Sequence, residues 1–160
     1  MRRVSLLCAL LAAMLVAACG GNGDGDPLSK QEYQDRLDTT RTELSASFEG
    51  LGTQLEGALK GSGSLDDAAS EVESIQEKLR AQADELEGLT PPEDAADAND
   101  ALAGGMRELA DDLDAFKSAL ESGDLGNIQT EANKIETFAS GQKLQQAGAD
   151  LETAGYTFGE

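Results

Sequence analysis

The chain has 160 residues, 31 acidic against 12 basic side chains, a net charge of −19, and neither histidine nor tryptophan. That surface repels phosphate backbones and offers few rings for bases to stack on, so nucleic acid is excluded as a partner. With no histidine, and with both cysteines inside the first 19 residues, the usual neutral-pH base and sulfur nucleophile are missing, and no enzyme is expected.

The first residues come in a definite order. Met1-Arg2-Arg3 is cationic, residues 4–16 are apolar apart from Ser5, and Val16-Ala17-Ala18-Cys19 closes the run. A membrane-crossing helix needs about 20 apolar residues, more than this stretch supplies before Gly20-Gly21-Asn22-Gly23 interrupts it. Cation, apolar core, small residues and cysteine resemble, in that order, the signal peptide and lipobox of bacterial lipoproteins. Val16, Ala17 and Ala18 would also suit the ordinary signal peptidase. The cysteine directly after them favours lipidation, because its thiol receives the diacylglyceryl group. Cys8 follows Leu6-Leu7, which are too bulky for a lipobox.

The resemblance implies that residues 1–18 are removed and that a mature chain of 142 residues begins at acylated Cys19. It places the protein at the cell membrane on the extracytoplasmic side, with the lipid on Cys19 as its membrane contact. One acyl chain anchors only marginally, so the family's multiple chains matter for stable attachment. Gly20, not aspartate, follows the cysteine, unlike the inner-membrane retention signal of two-membrane bacteria.

Residues 19–27 then form a tether. Gly20-Gly21-Asn22-Gly23-Asp24-Gly25-Asp26 has no apolar residue to bury and reads as flexible. Asp24-Gly25-Asp26 lacks the remaining oxygen ligands of an EF-hand loop.

From Leu28 onward the pattern is helical, with helices expected at about 29–60, 64–89, 91–122 and 124–158. Ser29 and Glu32 form a capping box, with Leu28 and Tyr33 as its staple. Leu37, Leu44, Phe48, Leu51, Leu55 and Leu59 follow as one apolar stripe. Gly50, Gly52 and Gly57 each weaken this helix by up to about 1 kcal/mol, which predicts bending or fraying before Gly61-Ser62-Gly63 ends it. Ser64 opens the second helix, with Asp66 and Asp67 favourable to its dipole. Its ladder is Leu65, Ala68, Val72, Ile75, Leu79, Leu86 and Leu89, with Gln82 on the same stripe.

Thr90-Pro91-Pro92-Glu93 stops the second helix and starts the third, where Thr90 and Glu93 suggest another capping box. Ala95, Ala98, Leu102, Met106, Leu109, Leu113, Phe116 and Leu120 make the buried face of the third helix. Gly104-Gly105 reads as a place where a neighbouring helix comes close. On the polar side, Asp97, Asp100, Glu108 and Asp111 form an acidic stripe: either a solvated face, or a place for weak divalent-cation binding. After Ser122-Gly123-Asp124 the fourth helix begins with Leu125, Ile128, Ala132, Ile135 and Ala139 and changes phase near Ser140-Gly141. Gly141, Gly148 and Gly155 recur every seven residues, as a packing seam or a frayed terminal helix.

The expected fold is all-α: an antiparallel up-down-up-down four-helix bundle (residues 28–160) after the signal peptide and tether. The junction Leu86-Glu87-Gly88-Leu89-Thr90-Pro91-Pro92-Glu93, followed by an alanine-rich helix, resembles one in uncharacterised secreted or lipid-anchored helical proteins of actinobacteria. That resemblance implies an envelope helical bundle and carries over no functional residue. Three functions remain in view: a binding or scaffolding module for an envelope protein partner, an accessory solute- or cation-binding lipoprotein of a transport system, and a structural spacer. No cofactor is expected.

Overall fold

A computed structural model describes residues 26–135 and 137–157. Val16, Ala17, Ala18, Cys19, most of the tether and Phe158 lie outside the described residues. The described residues are all-helical and contain no strand: six α-helices and one short 3-10 turn. None of these helices is long and apolar enough to cross a membrane.

Helix α1 (Lys30–Leu59) starts where its sequence says it should. The Ser29 hydroxyl oxygen accepts from the Glu32 amide, and the Glu32 carboxylate accepts from the Ser29 amide at 3.0 Å. The expected fraying does not occur: α1 runs unbroken through Gly50, Gly52 and Gly57. Packing of its apolar face, including buried Leu51, outweighs the low propensity of three glycines. It ends at Gly61, whose φ of +76° only glycine adopts without strain.

Helix α2 (Leu65–Gly88) is capped by Ser64 and buries Ala68, Val72, Ile75, Leu79, Ala83 and Leu86. Its bonds to α1 pair Arg36 with Glu85, Thr40 with Gln82, Ser47 with Lys78, and Gln54 with Glu71. The α2 numbers fall as the α1 numbers rise.

The second capping box does not form. A 3-10 turn (Glu93–Ala95) leads into α3 (Ala96–Asp112), with no side-chain cap on either. The Thr90 carbonyl instead accepts from the Leu28 amide at 2.8 Å, tying the start of α1 to the turn after α2.

The expected third helix is broken at Leu113, and α4 (Asp114–Ser122) follows. Its cause lies on α2: the buried Gln76 amide donates to the Ala110 carbonyl at 2.7 Å and to the Asp114 carboxylate at 2.6 Å. A side chain inserted at the ladder is a recognised source of such breaks. Leu113, Phe116, Ala119 and Leu120 remain buried across the break, so the core face continues.

The expected fourth helix is two helices, α5 (Leu125–Ile135) and α6 (Ala139–Thr153). The phase change seen in the sequence is a real break, with Phe138 extended (φ −58°, ψ 136°). Buried Ser140 then donates to the Asp112 carboxylate at 2.6 Å and fixes the start of α6 on the end of α3. Leu125, expected in the buried face, is 60% exposed.

The seven-residue glycine repeat is not a seam within the described bundle. Gly141 and Gly148 have open space where a Cβ would sit, and Gly155 (φ +85°) terminates α6. There Tyr156 N–H bonds the Leu151 carbonyl at 3.0 Å, closing a Schellman-type end. The close approach lies on α3 instead, as the Gly104-Gly105 pair suggested. A Cβ on Gly105 would lie 2.9 Å from the Leu144 Cδ2 of α6.

Candidate functional site

An apolar groove of about 520 Å³ lies between α1, α3 and α6. Leu37, Thr40, Arg41, Leu44, Ser45, Phe48 and Glu49 of α1 form one wall. Their spacing of three and four places them on one helical stripe. Leu102 and Met106 of α3 make the floor, and Leu144 and Gly148 of α6 the opposite wall.

Local chemistry explains why the groove stays open. At one end α1 and α6 are joined: Tyr33 and Tyr156 pack edge-to-face at 5.5 Å, and Gln34 exchanges bonds with the Thr157 backbone. Farther along, α6 presents Gly148, which has no side chain to reach across. Thr40 turns its hydroxyl away to Gln82 on α2, at 2.8 Å. Gly105 lets Leu144 settle onto α3, which keeps the α6 wall low. Phe48 is left 36% exposed at the rim.

This divides the α1 stripe that the sequence presents as one core ladder. Leu37 and Leu51 are buried, Leu44 and Leu55 are partly covered, and Leu59 is 64% exposed. Length explains the division: the α1 stripe covers 30 residues, whereas α6 has only 15 to set against it.

Below the groove a buried polar cluster locks the joined end. Tyr33 is fully buried and donates its hydroxyl to Asn99 Oδ1 at 3.0 Å, and the Asn99 amide donates to the Leu86 carbonyl at 3.0 Å. Tyr156 donates to the Asp94 carboxylate at 3.2 Å, while the Lys30 ammonium lies 4.5 Å from the Tyr156 ring centre and bonds the Ala154 carbonyl. Burial, and then the Asp94 charge, push the Tyr156 hydroxyl up to about 12. Burial, followed by the Tyr156 and Asp100 charges, pushes Tyr33 further in the same direction. All these bonds hold helices together.

The acidic stripe is partly spoken for. Glu108 accepts from Lys143 of α6 at 2.8 Å, and Asp111 accepts from Arg80 of α2 at 2.9 Å. Asp97 and Asp100 are exposed. Among the described residues, no three acidic, histidine or cysteine side chains gather as a metal cage would require. Arg107 bridges Glu87 and Asp84 of α2, holding the Glu87 carboxyl below the ordinary range. A polar hollow of about 570 Å³ beside the α1–α2 turn is lined by small residues such as Gly57, Ser62 and Gly63.

Comparison of the chain with protein-family models, curated proteins and solved structures yields no match.

Proposed function

We propose that the chain is a lipid-anchored, extracytoplasmic helical-bundle protein that serves as a binding or scaffolding module of the cell envelope. The order of residues 1–19, ending Val16-Ala17-Ala18-Cys19, supports the anchor. We further take α1, α2, the α3–α4 pair and α6 to be the four members of an antiparallel up-down-up-down bundle, with α5 as part of the last connection. The opposed numbering of their cross-bonds supports that topology.

The observation that carries the binding role is the apolar groove with Phe48 at its rim. Large apolar residues left along a concave face mark an interaction surface better than scattered exposure does. The reading as a solute- or cation-binding accessory protein has less support, because such pockets converge several polar groups on the ligand and this one is mainly apolar. The spacer reading leaves the groove without a use.

The test is crosslinking in intact envelopes, with a photoreactive residue at Ser45 and, separately, at exposed Thr130 on α5. A discrete protein adduct at position 45 that is absent at 130 supports the binding role; identical adduct patterns refute it. A Cys19→Ala chain retained in membranes as firmly as the native chain would refute the anchor.

A further inference from the structure

We infer that the groove between α1, α3 and α6 receives an acyl chain from this protein's own Cys19 whenever the protein is away from a bilayer. The inference rests on the lipid-anchor reading above and gives the groove its first occupant.

Reach is the first argument. Nine residue steps separate Cys19 from Leu28, and a fully extended chain of that length spans about 30 Å. Leu44, near the middle of the groove wall, lies sixteen residues beyond Leu28, or about 24 Å along α1. The acyl group can therefore fold back to the groove with chain to spare. A short flexible linker also holds its cargo at an effective concentration on the order of millimolar.

Shape and surface are the second. The volume of about 520 Å³ falls within the range of pockets that take single small ligands. Leu44, Phe48, Leu102, Met106 and Leu144 supply methyl, thioether and ring surface, which suits a hydrocarbon chain and gives little purchase to a polar solute.

Charge favours the tethered source, since Arg41 on the groove wall is accompanied by Glu49. A phospholipid drawn from an anionic membrane would bring its phosphate to a surface whose net charge is −19 before processing and about two units more negative after it. The diacylglyceryl thioether of Cys19 carries no charge and is already tethered. One consequence is a linkage between location and access: the groove is covered in water and freed when the acyl chains enter a bilayer.

The experiment uses the processed protein purified from membranes, freed of detergent and kept dilute enough to scatter light as single chains. Mass spectrometry of its N-terminal peptide reports acylation. The probe is a neutral fluorescent monoacylglycerol. The mature Cys19→Ser chain should bind the probe, and Phe48→Glu, at a rim position, should weaken that binding at least tenfold with helicity unchanged. The acylated chain should bind at least tenfold more weakly than Cys19→Ser. Deleting residues 20–26 from the acylated chain shortens the link to two residue steps, about 7 Å, and should strengthen probe binding relative to the acylated chain with its full tether.

Equal probe binding by the acylated and Cys19→Ser chains overturns the inference while leaving the anchor intact. So does failure of Cys19→Ser to bind at all. If Cys19→Ser binds only after a copurifying phospholipid is extracted, the occupant is free lipid. If it binds nothing and doubles in mass, the groove belongs to a second copy. A native chain with unmodified Cys19 refutes both the anchor and the inference.

Discussion

Gly105 of α3 and Leu144 of α6 meet so closely that a methyl group on the glycine would lie 2.9 Å from one leucine methyl and 3.0 Å from its Cγ. This contact sets the height of α6 on α3 and therefore the depth of the groove beside it.

Glycine substitutions should separate three situations. At Gly105, alanine gains about 1 kcal/mol of helix propensity, but overpacking against Leu144 costs about 1–3 kcal/mol, so the net change is destabilising. At Gly104, a Cβ meets only the end of the Lys143 side chain, whose half-exposed bond to Glu108 can shift, and Gly104→Ala should be near neutral. At Gly52, with open space around it, alanine should stabilise by up to about 1 kcal/mol. Urea midpoints of the three variants check the order; Gly105→Ala as the most stable of them would contradict it.

Removing Asn99 should be costly for its size. Asn99→Ala leaves the Tyr33 hydroxyl buried without its partner, at about 1–3 kcal/mol, and takes one of two donors from the Leu86 carbonyl, which keeps the Leu89 amide at 3.2 Å. Tyr33→Phe removes one of these demands, so the double variant should lose less than the sum of the singles. A double-mutant cycle with additive losses would show that the pair is not coupled.

The Gln76 bonds at the α3–α4 break should matter more than those of Gln82, which is only half-buried. Gln76→Leu keeps the volume but strips the Ala110 carbonyl of its side-chain partner, and a loss of about 1–3 kcal/mol follows. Gln82→Leu should lose clearly less. Thermal unfolding followed by helical circular dichroism measures both, and equal losses would count against the account of the break.

Alkaline pH should unfold the protein through its two tyrosines. Their hydroxyls hold protons in the folded state above the ordinary value of 10, with Tyr156 at about 12. Their contribution to stability is therefore complete below pH 10 and is lost as the pH rises through 12. With no tryptophan in the chain, tyrosinate absorbance is a clean readout. It should rise together with loss of helicity; ionisation near pH 10 with helices intact would refute the burial argument.

Much of the helical framework is legible in the sequence because it depends on local rules. The Ser29–Glu32 box, the Ser64 cap and the Gly61 stop each follow from residues within one turn. The ladders of α2 and of the α3–α4 pair follow from a period of three and four. What the sequence hides is set by partners distant along the chain. Gln76 reads as one more polar helix residue until Ala110 is opposite it, and Asn99 reads as surface until Tyr33 covers it. The Thr90–Glu93 pattern looks like a cap, yet the Thr90 carbonyl is engaged by Leu28. The groove was illegible for the same reason: the Leu44 and Phe48 side chains look like core, and only the short α6 with Gly148 leaves them uncovered.

The bond from the Leu28 amide to the Thr90 carbonyl bears on mechanics. If Cys19 is anchored as proposed, tension on the N-terminal segment would enter the fold at Leu28, where this bond, the Lys30 contacts with Ala154 and Asp94, and the Tyr33–Asn99 lock lie within two turns of one another. A pull along the tether would meet several fasteners at once instead of unzipping them singly. On that proposal, the end of the fold around Leu28 would be the end best suited to resist drag.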